Sequence, residues 1–178
     1  MYLAGSVGEL SQTKALKLLS ILEEMSVAKY GYPFFGVDFK VWMHGPVIED
    51  VFNDLEKETP DLFGEYIKRA HYDSDLFLPN KKFDDGEFSD NDISLMEEVI
   101  IFARHKLARN LVHYTHRPES PWAQTAKKNG ILADLQEKKI QVTDILVDFT
   151  TVIKDNDYLL ERYSDAVENL EFKKALKK

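Results

Sequence analysis

Phe39-Lys-Val-Trp-Met-His-Gly-Pro-Val47 and, further along, Leu111-Val-His-Tyr-Thr-His-Arg-Pro-Glu-Ser-Pro-Trp122 are the two strings on which the fold turns. Each joins a helical apolar pattern to a rigid break, Gly45-Pro46 in the first and Pro118-x-x-Pro121-Trp122 in the second. Proline fixes φ and removes a backbone donor while glycine relaxes the path, so such breaks pin the chain. The first string predicts a short helix over 37–43 that stops at His44-Gly45-Pro46. Pro46 then suits the first position of a new helix, where its missing N–H would be unsatisfied anyway. Val47, Ile48, Val51, Phe52 and Leu55 continue as an apolar stripe up to Thr59-Pro60. His44-Gly45-Pro46 is therefore expected to be a corner between two helices. In the second string Ser120-Pro121 reads as a cap and first residue of a helix through Ala126, with Trp122 packing near His116.

Working outward, residues 1–10 carry two glycines and no period, and read as a lead-in. Ser11 or Thr13 can cap a helix to about Ala28, with Ala15, Leu18, Leu19, Leu22 and Met25 at the spacing of a buried stripe. Tyr30-Gly-Tyr-Pro33 ends it. Glu65–Tyr72 and Leu76–Phe83 suit a small hairpin. Ser89 with Asp92 resembles a capping box ahead of Ile93, Met96, Ile100 and Ala103. That helix is expected to break near Lys106 and resume over Ala108–His116. Asn129-Gly130 is a turn signal, and Thr143 can cap a helix carrying Ile145, Leu146, Phe149, Val152 and Ile153. A last helix begins at Asn156 or Asp157, with Leu160, Tyr163, Val167 and Leu170 on one seam. Helices with that seam dock on another surface, their own domain or a partner. The fold class that follows is mainly α (α+β): a compact multi-helix domain with a small β-hairpin and a C-terminal helical extension. The expected division is a domain over 1–154 and an extension over 155–178 packed on the domain or on a partner.

The chain has 178 residues, enough for one self-sufficient core. Its formal charge of −8 argues against broad affinity for nucleic acid or an anionic membrane. Without cysteine there is no disulfide framework, thiol nucleophile or thiolate zinc site. No apolar run is long enough to span a bilayer, and a cytoplasmic protein is the plain reading.

The chemical motifs are few. His113 and His116 lie three apart and can share a helix face, as metal ligands do, but no third ligand stands at a recognised spacing and Arg117 opposes a cation. Imidazoles hydrogen-bonded to the neighbouring break are the alternative. The acidic run from Asp84 to Asp92 fails as a calcium loop, since glycine and glutamate do not fall at the sixth and twelfth positions; helix-dipole complementarity accounts for it. Neither a Gly-x-Ser-x-Gly elbow nor a phosphate loop is present. Arg104, His105, Lys106 and Arg109 form the densest basic patch, and Lys173, Lys174, Lys177 and Lys178 close the chain, but aromatics do not interleave with either. Trp42 and Trp122 read as core anchors. A metal-dependent hydrolase using His113 and His116, and a DNA-binding regulator, stay open beside a non-catalytic binding protein. No cofactor is indicated.

Thr13-Lys-Ala-Leu-Lys-Leu-Leu19, Phe39-x-x-Trp42 with Gly45-Pro-Val47, Leu111-x-x-x-Thr-His116 with Pro121-Trp122, and Ile140–Phe149 stand in the order of the SocA-like antitoxin, or Panacea, domain. The chain resembles that family over about residues 12–150. His44 stands where the family commonly has tyrosine. The resemblance implies a prophage- or mobile-element-linked antitoxin that binds and neutralises a toxin encoded by an adjacent gene, with a protease or chaperone as a further partner. It leaves self-association open. It marks Trp42, His44, Gly45, Pro46, Thr115, His116, Pro121 and Trp122 as motif residues, for partner binding or for structure. The closing helix it implies covers Ile140–Phe149. Leu160, Tyr163, Val167 and Leu170 lie beyond the shared region and are candidates for an interface.

Overall fold

A computed structural model describes residues 2–71 and 74–176. Its central element is α2 (Gln12–Tyr30), preceded by α1 (Tyr2–Ser6) and β1 (Leu10–Ser11). The Ser11 side chain accepts the Lys14 N–H and caps α2 as expected. At the far end Gly31 takes a left-handed conformation, φ 67°. A Cβ there would lie 2.8 Å from the Leu159 carbonyl oxygen, so glycine also admits the last helix.

The helix is buried on nearly every side rather than along one stripe. Leu16, Leu18, Ile21, Leu22 and Val27 are buried, and so are Lys14, Lys17, Glu23 and Glu24. Around it lie α3 (Glu49–Glu56), α4 (Asp90–Ala103), α5 (Ala108–Thr115), α6 (Pro121–Lys128), α7 (Leu132–Gln136), a 3-10 turn (Phe149–Val152) and α8 (Asp157–Leu176). Helix α4 opens with the Ser89–Asp92 capping box, and the break before α5 falls where the sequence places it.

The expected hairpin between residues 65 and 83 is present as β4 (Ile67–Arg69) paired antiparallel with β5 (Leu76–Pro79). Tyr72, at the expected end of its first strand, lies outside the described residues, as do the terminal Lys177 and Lys178. The lead-in is more ordered than expected, because β1 adds to β5 and completes a sheet of order β1-β5-β4. Val7 and Leu10 are buried beneath it.

Two helices expected from the sequence are extended instead. Residues 40–47 form an antiparallel hairpin, β2 (Lys40–Trp42) with β3 (Gly45–Val47), turning through Met43-His44. There is no helical corner at Gly45-Pro46. Phe39 and Val41 are buried while Lys40 and Trp42 are only half-buried, a period of two that the short window concealed. Pro46 costs the ladder nothing. The Val41 N–H donates to Ile145 O at 2.8 Å, away from β3, so Val41 and Pro46 are opposed without a mutual hydrogen bond.

Residues 141–147 are the other correction. Instead of a helix capped by Thr143 they run extended beside β2, with Met43 N–H donating to Gln141 O and Val147 N–H to Phe39 O. The Thr143 hydroxyl donates to Val41 O at 2.7 Å rather than capping a helix. Thr143, Ile145 and Val147 turn inward while Val142, Asp144 and Leu146 face solvent. Strand pairing thus overrides the helical spacing, and the only helical piece is the 3-10 turn.

Candidate functional site

The two strings that opened the sequence meet in space. The end of β2 and the β2–β3 turn offer the carbonyls of Trp42 and Met43 to the second string. Trp122 donates its indole N–H to Trp42 O at 2.9 Å. His116, at the C-terminal end of α5, places Nε2 3.0 Å from Met43 O and Nδ1 2.6 Å from Val112 O. Its ring lies against the Trp122 indole with centroids 4.1 Å apart, the neighbourhood expected from the sequence.

Local sequence puts each part there. The Ser120 side chain accepts the Ala123 N–H, and Pro121 sets the first turn of α6, so Trp122 points into the core at 1% exposure. On the other side Lys17 Nζ donates to Pro46 O at 2.9 Å. Gly45 has φ 103°, and a Cβ there would lie 2.9 Å from Thr115 Oγ1 and 3.1 Å from Lys17 Cε. The Thr115 hydroxyl donates to Val112 O. Motif residues from α2, the hairpin, α5 and α6 therefore form one clasp on the hairpin backbone. Gly45→Val should cost about 2–3 kcal/mol, from a disfavoured φ and a crowded cradle. Urea unfolding checks this; unchanged stability would mean that the contact is slack.

Not every motif residue is in the clasp. His44 is exposed at the turn. Trp42 packs its ring edge-on against Phe52, centroids 5.1 Å apart, and its buried indole N–H finds no acceptor among the described residues. His113 is exposed, while both ring nitrogens of His116 lie against backbone carbonyls inside the clasp. The pair therefore does not converge as ligands. Among the described residues no group of three or more His, Asp or Glu is arranged to hold a metal ion.

The buried charges of α2 were missed by sequence reasoning. Lys17 is 1% exposed with its ammonium pushed down to about 7 by burial. Glu23 is pushed up to about 7 by burial, against the Phe35 N–H that its carboxylate accepts at 2.9 Å. Glu24 is also raised by burial, and is held by an ion pair with Arg117. A signal was available. Lys17 and Ser20 are the only polar residues between Ala15 and Leu22, a run too apolar all round for a surface helix.

On α8 the four seam residues Leu160, Tyr163, Val167 and Leu170 are half-buried. Leu160 and Tyr163 pack against the cluster around Trp122, and Leu170 sits over Gly36. Lys174 Nζ donates to Gly36 O at 2.9 Å. Tyr158, Phe172 and Leu176 are exposed.

Residues 16–123, more than half of the chain, match the model of the family described as antitoxin SocA-like, Panacea domain. The match is shorter than the resemblance over 12–150, but it contains both halves of the clasp. No curated protein and no solved structure matches the chain.

Proposed function

The chain belongs to the antitoxin SocA-like, Panacea domain family, and from that membership we propose that it is a non-catalytic antitoxin that neutralises a toxin by direct contact. The family match carries the reading; it supports a role in a toxin–antitoxin pair in general. The site agrees with binding rather than catalysis, because Thr115 and Trp122 donate to backbone carbonyls and the His116 ring is wedged between two more. The toxin is the product of an adjacent gene on a prophage or mobile element, and the pair meets in the cytoplasm. Among the described residues no helix is long and apolar enough to cross a membrane.

Contact with the toxin includes α8, the helix outside the matched span. Supporting this, α8 has no fully buried residue and leaves Tyr158, Phe172 and Leu176 exposed. In this reading Leu160, Tyr163, Val167 and Leu170 hold the helix in place and its outer face meets the toxin.

Co-expression with the adjacent reading frame is the test. The full chain should restore growth and co-purify with the toxin, whereas truncation after Asp155 should leave a cooperatively folded protein that does neither. An adjacent product that is harmless without this chain would sink the antitoxin reading. A truncated protein that still neutralises would remove α8 from the contact.

A further inference from the structure

The corner between α4 and α5 and the approach to β1 line an open surface cavity of about 440 Å³, within the range of small-ligand sites. Its walls carry four cationic side chains, Lys14, Arg104, Lys106 and Arg109, with His105 beside them, against one carboxylate, Glu9. This concentration runs against a chain of formal charge −8. Uncompensated like charges repel, so a cluster of this kind is held at a cost unless an anion joins it.

Two of the cations, Arg104 and Arg109, are not consumed by the protein itself. Among the described residues the side chains of Arg104, His105 and Arg109 have no hydrogen bond or ion pair. Lys106 is the exception: its ammonium lies 3.9 Å from the Phe102 ring centroid and donates to Phe102 O. Lys14 differs in kind. It is 5% exposed and donates one N–H to Val7 O at 2.7 Å, leaving two without an acceptor among the described residues. Burial holds its ammonium below the ordinary lysine range, with Glu9 opposing.

The eight-residue helix α5 starts on the same wall, at Ala108. The N–H groups of Ala108 and Arg109 precede its first intrahelical bonds, and the positive end of its dipole faces the cavity.

We propose that this cavity is an oxyanion site for a phosphorylated small ligand, with the phosphate taken by Lys14, Arg104, Arg109 and the first N–H groups of α5. A phosphate monoester suits it better than a single carboxylate. It presents three acceptor oxygens and about −1.5 to −2 charge at neutral pH, against donors that line the pocket from three segments of chain. Charge-assisted bonds of this kind are the stronger class of hydrogen bond.

Calorimetric titration of the full-length protein with ribose 5-phosphate, inorganic phosphate and ribose at fixed ionic strength tests the site. Ribose 5-phosphate should bind and raise the melting temperature, and ribose should do neither. Arg104→Glu with Arg109→Glu should weaken binding at least about tenfold, each lost charge-assisted bond accounting for that much. Both side chains are exposed, so the unliganded melting temperature should hold; Arg109→Ala gives a milder second variant with a smaller loss. Absence of binding, or equal affinity in wild type and both variants, overturns the proposal. Binding of inorganic phosphate without ribose 5-phosphate also overturns it, since that describes an adventitious ion only.

Discussion

Trp122→Ala is expected to lower the unfolding free energy by about 3–5 kcal/mol, the range for removing a fully buried large aromatic. Trp122 is 1% exposed and packs among Val27, Phe39, Val41 and Phe149. Three losses coincide: the core volume, the ring contact with His116, and the hydrogen bond to Trp42 O. The last leaves a carbonyl at the end of β2 without its side-chain donor, so the hairpin loosens as well. Trp122→Phe keeps most of the volume and should lose mainly the hydrogen bond, about 1–2 kcal/mol with some residual cavity. Trp42→Ala is the contrast. Its ring is half-buried and its indole N–H bonds none of the described residues, so truncation there should cost clearly less. Urea unfolding followed by circular dichroism orders the three. A cost below about 1 kcal/mol for Trp122→Ala would be ordinary for an arbitrary site and would reject the clasp as the origin of these motifs.

Much of this arrangement was legible where local chemistry decides the outcome. Ser11, Ser89 and Ser120 announce the starts of α2, α4 and α6, because a side chain that accepts a backbone N–H acts within a few residues. The proximity of Trp122 to His116 is likewise local, set by the turn between α5 and α6. Pairing over long separations was not legible. Val41 bonds to Ile145 across the fold, and nothing within Phe39–Val47 states that an extended partner segment will arrive from residues 141–147. Without that partner, Pro46 reads as a helix start; with it, Pro46 occupies a position where no N–H is required. The same blindness hid the environment of Lys17. A lysine amid leucines can escape to solvent from a surface helix, but α2 is enclosed by α4, α5, the hairpin and the 3-10 turn. Burial of that charge is a property of the neighbours, and the neighbours are set by the whole chain.

Those buried charges lead to the other large effect, a stability minimum near pH 7. For Lys17 the folded state binds its proton less tightly than the unfolded chain, about 7 against 10.5. Between those values the unfolded state carries more protons, so stability rises with pH through that window. The full shift corresponds to something on the order of 5 kcal/mol. Glu23 works in reverse. Its folded value of about 7 exceeds the reference of 4.5, so the folded state carries more protons and stability falls as pH climbs from 4.5 to 7. That fall is on the order of 3 kcal/mol. Glu24 is also raised and Lys14 also lowered, so each reinforces the arm to which it belongs. Asp54 does not interfere with either arm. Despite desolvation, the backbone N–H groups of Leu62, Asp61 and Phe63 hold its carboxylate low, so its contribution is lost only at more acid pH. Urea unfolding at pH 5, 7 and 9 should therefore give the least stable protein at pH 7. Lys17→Met fills a similar volume without a charge; it should stabilise the protein at pH 7 and remove most of the rise above it. Glu23→Gln should flatten the acid arm and leave the alkaline one. A wild-type stability maximum at pH 7 would show that neither group is enclosed as tightly as the packing of α2 requires.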